Sequence, residues 1–559
     1  MGKKFFGFRW IIGLFFVSEL LGQGKEWTEA QLDSIAKASY LKRMAEEEAR
    51  GMQSAQQAIS KARHEGVKEI HIRGFTKNEI PDISDLKHVE SFSCTYCKAL
   101  NLSKLFEQLA VLPNLKKLAL VGCQIKKVPE EIYLLKNLEE LSLKDNPITQ
   151  LPQALSSLKK LTTLNLQHCG YLPDEQIWDV LDTSSVEHLN LSACELFGIS
   201  DAIGKALSLK SLDLSINDIR TLPASFSQLK NLRRLKLSHN NNLDLAAIFS
   251  VLRSNAQLEE LDLSECYLET LPVELCDVLS LKNLILRGNQ ITSLPECFGR
   301  LIALERLDLG GLPFANRNNR IERLPVSFSQ LSNLTWLNLH ANKLTSLEPI
   351  EGCKKLEYLN VSTNELEVFP PQLCELRNLK NLDLSLNRIT GIPVCIGKMA
   401  SLEYLNMNGF FFNTPERKLK TIPREICRLE KLNTLSLKDN VIDSLPSCIG
   451  QLKNLEHLDL RDNLLSSLPD SIIYLRKLKK LLLKANELSS IPTEIYKLDA
   501  LREFDLSMNP RLDFEKVFEL LKKMQRLEIL DLSYNKLNQE KVLKLKEQMP
   551  NTKISHNEF

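Results

Sequence analysis

A 23-residue period constrains the fold of this sequence more than any other feature. The period is clearest at residues 432–455, where Leu432, Leu435 and Leu437 follow the spacing LxxLxL and the same spacing restarts at Leu455. Side chains two residues apart in an extended segment point to the same face, so Leu435 and Leu437 predict a short strand with one buried face. Each period therefore begins with a strand.

The second part of each period returns the chain to the start of the next strand. Asn440 follows the strand, and Pro446 excludes a helix running through the middle of the return. One unit cannot bury its leucine face alone, so successive units must stack with their strands parallel and their leucines in a common core. The period thus predicts an α/β repeat fold.

The unit resembles the leucine-rich repeat, LxxLxLxxNxL, in the 23-residue form that carries LPxxI on its convex side. The resemblance implies a solenoid curved like a horseshoe, with a parallel sheet on its concave face, a surface that usually binds proteins or other ligands. We predict this solenoid over residues 67–537, with about 20 repeats. The repeats start at Val67, Val89, Leu115, Leu138, Leu161, Val186, Leu209, Leu232, Leu258, Leu281, Leu304, Leu334, Leu356, Leu379, Leu402, Leu432, Leu455, Leu478, Leu501 and Leu527.

The position eight residues after each start predicts a ladder of buried hydrogen bonds. An asparagine there can bond to backbone groups of adjacent coils, which would cost ~1–3 kcal/mol each if they were buried unpaired. The weak first repeat has Phe75 at this position, and two repeats that are seven residues longer than the period have Leu312 and Phe410. The ladder asparagines are Asn146, Asn217, Asn240, Asn289, Asn342, Asn364, Asn387, Asn440, Asn463, Asn486, Asn509 and Asn535, and the ladder cysteines are Cys97, Cys123, Cys169, Cys194 and Cys266.

The first residues of the chain have the layout of a signal peptide, which we predict over residues 1–24. Lys3, Lys4 and Arg9 precede an apolar run over residues 10–21, and small residues follow around Gly24. The run is shorter than the ~20 residues that span a bilayer, so no stable membrane span is expected after processing. An uncleaved anchor and a chance apolar start are the alternatives.

A helical cap is predicted over residues 25–66. Thr28 is a candidate N-cap, Gly66 can end the helix, and no proline interrupts the segment between them. An amphipathic helix here would cover the open end of the leucine core, and residues 538–559 predict a corresponding C-terminal cap. The apolar residues that recur roughly on one face of the N-terminal helix are Leu32, Ile35, Leu41, Met44, Met52, Ala55 and Ile59.

The charge balance argues against nucleic acid as a partner. The chain has a formal net charge of +2, and removal of residues 1–24 leaves 69 basic and 69 acidic residues, whereas phosphate binding favours a basic surface.

Cys94 and Cys97 form a CxxC motif, which can mark a metal site. Cys94, however, falls on a core leucine position and Cys97 on the ladder, and there is no second CxxC. We therefore expect no metal site and no cofactor.

Six of the thirteen cysteines form three pairs with a common spacing. The two members of each pair are 21 residues apart in neighbouring repeats, and other repeats have Ser, Glu, Gly or Tyr at these positions, which predicts half-exposed sites. In an exported protein such pairs predict disulfides, whereas free thiols copied by repeat duplication are the alternative. The pairs are Cys276 with Cys297, Cys374 with Cys395, and Cys427 with Cys448.

A candidate ligand-binding surface lies on the strand face opposite the leucines, within residues 304–432. Three repeats have an aromatic residue at the same strand position, and such rings contribute contact area at low entropic cost. The insertions of the two long repeats add aromatic residues, although one phenylalanine of an insertion can instead fill the space of the missing ladder asparagine. The candidate residues are Trp336, Tyr358, Tyr404, His340, Phe314, Phe411 and Phe412, and the neighbouring row is Asn338, Asn360, Asp383 and Asn406.

Two functions of different classes fit these features. The first is an exported, non-catalytic binding protein, secreted, periplasmic or at the cell surface, whose concave face recognises a protein, with a glycan as the alternative ligand. The second is a cytoplasmic signalling scaffold, similar to the Ras-group leucine-rich repeat proteins, in which residues 1–24 are not a signal peptide and the cysteines stay reduced. An enzyme is not expected, because the histidines are scattered and no nucleophile motif or phosphate-binding loop is present.

Overall fold

The computed structural model of the chain describes residues 29–182, 184–312, 318–410 and 414–556, with side chains for residue 46 and from residue 48 onward. The chain divides into two compact units. The first contains the residues up to 196 together with 202–213, and the second contains 197–201 together with the residues from 214 onward. The predicted signal peptide at residues 1–24 lies outside the described residues.

The described part of the first unit contains seven strands, and each pairs in parallel with the next along the chain. In every strand the leucine or its apolar equivalent is buried while the flanking residues are more exposed. The period-two alternation therefore places one face of the sheet against the core. The strands are β1 (Glu69–Arg73), β2 (Ser91–Thr95), β3 (Lys117–Val121), β4 (Glu140–Ser142), β5 (Thr163–Asn165), β6 (His188–Asn190) and β7 (Ser211–Asp213).

Helix α1 (Glu29–Glu65) packs along the first strand. Its residues Ala55 and Ile59 are buried, and the Arg73 N–H donates to Ser54 Oγ at 3.1 Å. Gly66 adopts φ +66° and ends the helix. The other α-helices in the described part of this unit are α2 (Leu102–Ala110) and α3 (Asp174–Leu181), and its short 3-10 helices are Glu130–Leu134 and Gln153–Ser157. A further 3-10 helix, Asp201–Lys205, has its first residue in the second unit and the others in the first.

The described part of the second unit continues the same pattern with fourteen strands, each again parallel to the next. The central residue of every strand is buried and apolar. The strands are β8 (Arg234–Lys236), β9 (Glu260–Asp262), β10 (Asn283–Ile285), β11 (Arg306–Asp308), β12 (Trp336–Asn338), β13 (Tyr358–Asn360), β14 (Asn381–Asp383), β15 (Tyr404–Asn406), β16 (Thr434–Ser436), β17 (His457–Asp459), β18 (Lys480–Leu482), β19 (Glu503–Asp505), β20 (Ile529–Asp531) and β21 (Lys553–Ser555).

Short helices form the return segments of the second unit. A proline usually precedes each 3-10 helix in extended conformation, as Pro393 does at φ −74°, because proline cannot donate to the preceding turn but can begin a helix. The 3-10 helices are Ala224–Gln228, Val273–Asp277, Phe298–Arg300, Val326–Gln330, Glu348–Gly352, Pro371–Glu375, Val394–Lys398, Pro415–Arg417, Arg424–Arg428, Ile449–Gln451, Asp470–Tyr474 and Ile495–Lys497, and the α-helices are α4 (Leu245–Leu252), α5 (Phe514–Leu521) and α6 (Gln539–Gln548).

The ladder residues connect the backbones of neighbouring repeats. Asn387, for example, donates from Nδ2 to Val361 O of the preceding repeat and to Leu384 O of its own, each at 2.9 Å, and its Oδ1 accepts from the Leu366 N–H at 3.0 Å. The twelve ladder asparagines are buried except Asn217, which is half-buried. The five ladder cysteines are buried, and each donates through Sγ to a carbonyl of the preceding repeat.

The turn before the ladder residue requires a left-handed backbone. Asp145, Leu386 and Asp439 precede ladder asparagines at φ 59°, 56° and 57°. This conformation costs a non-glycine residue roughly 1–2 kcal/mol. The ladder hydrogen bonds that the turn aligns offset that cost.

In the first long repeat, Asn319 occupies the ladder position, which differs from the residue predicted by counting along the sequence. Counting eight residues from the repeat start predicts Leu312, but Asn319, beyond the insertion, is buried and donates to Leu286 O at 3.0 Å and to Leu309 O at 2.9 Å. Its Oδ1 accepts from the Ile291 N–H at 3.0 Å. The expectation that this repeat lacks a ladder asparagine was wrong, because the inserted residues precede the ladder residue.

The predicted fold class is confirmed: the chain has the leucine-rich repeat solenoid fold, with a parallel sheet in each unit and a helical cap, α1, on the first strand. The segment predicted as a C-terminal cap, residues 538–559, contains α6, but β21 follows and pairs with β20, so the sheet continues past the predicted boundary at 537. In the part of the chain that the structure describes, none of the helices has the length and apolar character needed to cross a membrane.

Candidate ligand-binding face

Consecutive strands of the second unit bring the predicted aromatic residues into one row. Strand pairing aligns Trp336 with Tyr358, Tyr358 with Asn381, and Asn381 with Tyr404. These four side chains are half-buried and flank the buried leucines of β12 to β15, so they lie on the opposite face of the sheet. We call Trp336, Tyr358 and Tyr404 the aromatic row.

Both faces of the Trp336 ring are covered by neighbours. The Trp336 and Tyr358 ring centroids are 5.1 Å apart with 7° between the ring planes, and the guanidinium carbon of Arg306 lies 4.6 Å from the Trp336 centroid. Because β12 lies between β11 and β13, Arg306 and Tyr358 approach from opposite sides. Arg306 was not among the residues predicted from the sequence, although it occupies the same strand position as Trp336.

A second row of polar side chains lies two residues further along the same strands. We call Asp308, Asn338, Asn360, Asp383 and Asn406 the polar row; its members are in register across β11 to β15. Asn338 Nδ2 donates to Asp308 Oδ1 at 2.8 Å, and Asn406 Nδ2 donates to Asp383 Oδ2 at 3.1 Å. Asp308 is the one member of this row that was not predicted from the sequence.

The two rows are partly withdrawn from water. Burial raises the pKa of the Asp308 carboxyl above its ordinary value. Burial also raises the pKa of the phenols of Tyr358 and Tyr404, and the negative charge of Asp383 adds to both shifts. Polar contacts made at this face are therefore stronger than contacts on a fully hydrated surface.

His340 lies at the margin of the face. Its ring is half-buried with Nδ1 at 2.8 Å from Ser362 Oγ, and its backbone N–H donates to Asn338 Oδ1 at 3.1 Å. The structure therefore places His340 beside the polar row, with one ring nitrogen already engaged by the neighbouring repeat.

The predicted contacts from the insertions are only partly placed. Phe314, Phe411 and Phe412 lie outside the described residues. Phe410, which starts the second insertion, is 42% exposed. The expectation that a phenylalanine fills the empty ladder position is therefore wrong for Phe410, because a residue in that position would be buried as the ladder asparagines are.

The three cysteine pairs lie at disulfide distance on adjacent coils. The Cα separations are 5.9 Å for Cys276 and Cys297, 5.7 Å for Cys374 and Cys395, and 5.9 Å for Cys427 and Cys448, and the sulfurs are bonded. The second cysteine of each pair is half-buried, but the first is at most 3% exposed. The prediction of half-exposed sites was wrong for the first cysteine, because it lies near the end of a 3-10 helix and its sulfur points at the next coil.

The CxxC motif is part of the core. Cys94 and Cys97 are buried, and Cys97 Sγ donates to Ile72 O at 3.8 Å. Over the ranges that the structure describes, no group of three or more His, Cys, Asp or Glu side chains could hold a metal ion. These cysteines therefore occupy the repeat positions that their register predicts.

Comparison with protein-family models gives matches along most of the array. A model described as a leucine-rich repeat region matches residues 417–553, and a leucine-rich repeat model matches residues 113–170, 184–243 and 354–409. Shorter leucine-rich repeat models match residues 257–278, 280–301 and 332–371.

Solved structures with the same fold include a leucine-rich repeat protein of Leptospira interrogans. It is 28% identical, the match covers 81% of this chain and 98% of that chain, and the TM-score is 0.58. The TLR13–ssRNA13 complex gives a TM-score of 0.60 at 19% identity, covering 88% of this chain and 81% of that chain. The second likeness shows the fold alone.

Curated relatives match over shorter parts of the chain. Podocan-like protein 1 of Mus musculus is 29% identical over 295 residues, which are 47% of this chain and 51% of that protein. Adenylate cyclase of Schizosaccharomyces pombe is 27% identical over 294 residues, which are 46% of this chain and 17% of that protein. The chain thus spans about half, or less, of the length of these relatives.

Proposed function

Because this chain belongs to the leucine-rich repeat proteins, we propose that it is a non-catalytic binding protein that holds a protein partner on the exposed face of β11 to β15. The observation that carries the proposal is the ordered aromatic row, in which Arg306 and Tyr358 fix the Trp336 ring from both sides. Side chains that are already ordered lose little entropy on binding, and half-buried rings and arginine are the residue types that dominate protein interfaces.

A protein fits this face better than the alternative glycan ligand. A sugar ring that stacks on an aromatic residue needs an open ring face, where the negative quadrupole meets the C–H groups. Both faces of Trp336, the largest ring of the row, are occupied, so Trp336 presents only its edge, beside the amides and carboxylates of the polar row. Such groups match the alternating N–H and C=O groups of a peptide.

Truncation of the aromatic row tests this proposal. A library of random peptides is selected on the purified chain, and the affinity of the selected peptides is measured by calorimetry for the wild type and for the triple variant W336A/Y358A/Y404A. We expect a loss of about 100-fold or more, because central aromatic residues contribute most of the binding energy. The melting temperature should change little, because the three rings are half-buried outside the leucine core.

A matched triple variant separates this effect from a general loss of the sheet face. Glu260, Asn283 and His457 occupy the same strand position in repeats outside the row, and their replacement by alanine should leave the affinities unchanged. Unchanged affinity of the aromatic triple variant would refute the proposed face.

We further propose that the chain is exported, with a cytoplasmic signalling scaffold as the second candidate. The three cysteine pairs at bonding distance support export, because disulfides persist in oxidising compartments and thiols stay reduced in the cytosol. Mass spectrometry of the chain recovered from its native cells tests this: we expect residues 1–24 to be absent and the paired cysteines to be oxidised. An intact Met1 with reduced thiols would favour the scaffold.

A further inference from the structure

The aromatic row is interrupted at one strand, and the interruption forms a notch. Asn381 on β14 stands between Tyr358 on β13 and Tyr404 on β15, at the strand position where its two neighbours carry rings. Two residues along β14 lies Asp383, a half-buried member of the polar row. We call the space bounded by Tyr358, Asn381, Tyr404 and Asp383 the notch.

The spacing of the strands makes the notch wide enough for a planar side-chain group. Its two tyrosines are attached to strands that are two strand spacings apart, roughly 10 Å at ~4.8 Å for each spacing. A planar group in van der Waals contact with a ring on each side needs roughly 7–8 Å between the ring planes. Trp336 covers one face of Tyr358, so the other face is directed across Asn381 towards Tyr404.

The Asp383 carboxylate at the end of the notch is held by neutral donors. Ser385 donates to Oδ1 through its N–H at 2.9 Å and through Oγ at 2.6 Å, and Asn406 Nδ2 donates to Oδ2 at 3.1 Å. Within the described ranges of the chain Asp383 takes part in no ion pair, and Lys380 of the same repeat is engaged by Glu357 at 2.7 Å. Three donors leave part of the acceptor capacity of a carboxylate free.

Other aspartates at this strand position differ from Asp383 in one of two ways. Asp459 is neutralised by Arg461, whose Nη2 lies 2.6 Å from Oδ2. Asp505 has the same hydrogen bond from a serine hydroxyl, Ser507 Oγ at 2.6 Å. The strands beside it have Lys480 and Ile529 where the strands beside Asp383 have tyrosines, so no ring flanks Asp505. Among the aspartates of β8 to β21, Asp383 alone accepts a hydrogen bond from a serine hydroxyl and also has a tyrosine on each neighbouring strand.

We propose that the notch binds a basic side chain, arginine or lysine, of a peptide segment in the protein partner. This inference rests on the proposed function and names the chemistry that the face selects. The cation lies between Tyr358 and Tyr404, where the ring faces attract positive charge, and it pairs with the open lone pair of Asp383. An acidic side chain is repelled by the carboxylate, and a neutral side chain leaves the Asp383 charge without a countercharge.

A double-mutant cycle tests the pairing. Peptides are selected from the random library on the wild-type chain, and those that lose binding to W336A/Y358A/Y404A are retained. We expect the retained peptides to share a basic residue, and D383N and replacement of that residue by glutamine each to weaken binding by about tenfold or more. When both changes are present, the second should add little, because the two groups act on each other.

Two further variants sharpen the test. N381Y fills the notch with a third ring and should weaken the same peptides to a similar extent, whereas D505N removes an equivalent serine-bound carboxylate outside the face and should leave binding unchanged. Retained peptides that lack a basic residue, or that bind D383N as tightly as the wild type, would overturn the inference while the proposed face stands. Peptides that are indifferent to the aromatic triple variant would overturn both.

Discussion

Replacing all six paired cysteines by alanine is expected to destabilise the second unit by roughly 3 kcal/mol for each disulfide removed. Each bond closes a loop between cysteines 21 residues apart on adjacent coils, so it restricts the unfolded chain without changing the native packing. The first cysteine of each pair is also buried, so truncation to alanine adds a small packing loss. Thermal unfolding followed by circular dichroism measures the change.

The same experiment with a reductant isolates the contribution of the bonds. The melting temperature of the wild type should fall in dithiothreitol, whereas that of the six-alanine variant should not respond. Cys353, which is buried and free, supplies the control: Cys353→Ala should retain the full response to reductant. A wild-type melting temperature that does not change on reduction would show that the three bonds do not stabilise the fold.

Replacing Asn319 by alanine is expected to lower the free energy of unfolding by about 3 kcal/mol or more. The substitution leaves Leu286 O, Leu309 O and the Ile291 N–H without the partner that Asn319 provides, and each buried unpaired group costs ~1–3 kcal/mol. Urea denaturation of the purified variant measures the loss.

The adjacent asparagine provides the matched control. Asn318 is half-buried, and its Oδ1 accepts from the Leu312 N–H at 2.8 Å within the same loop, so Asn318→Ala should cost about 1 kcal/mol. Equal losses for the two variants would contradict the assignment of Asn319 to the ladder. A large loss for Leu312→Ala with none for Asn319→Ala would restore the simple count along the sequence.

Much of the candidate face could be predicted because equivalent positions of equal repeats stack in register. Trp336, Tyr358 and Tyr404 share one strand position, and the structure aligns their strands residue by residue. The face-to-face contact of Trp336 with Tyr358, and the position of Arg306 over the indole, could not be predicted in this way. They depend on side-chain rotamers, which spacing along the chain does not specify.

The sequence by itself determined the repeat, the parallel pairing of the strands and the positions of the leucine core, because all three follow from a local period of 23 residues. Only the tertiary structure decided which residues complete the ladder after an insertion and which cysteines are buried. Asn319 and Cys276 are examples, since each is set by contacts with the neighbouring coil. A period predicts where a residue stands within its own repeat, whereas burial and bonding depend on the path that brings the next repeat against it.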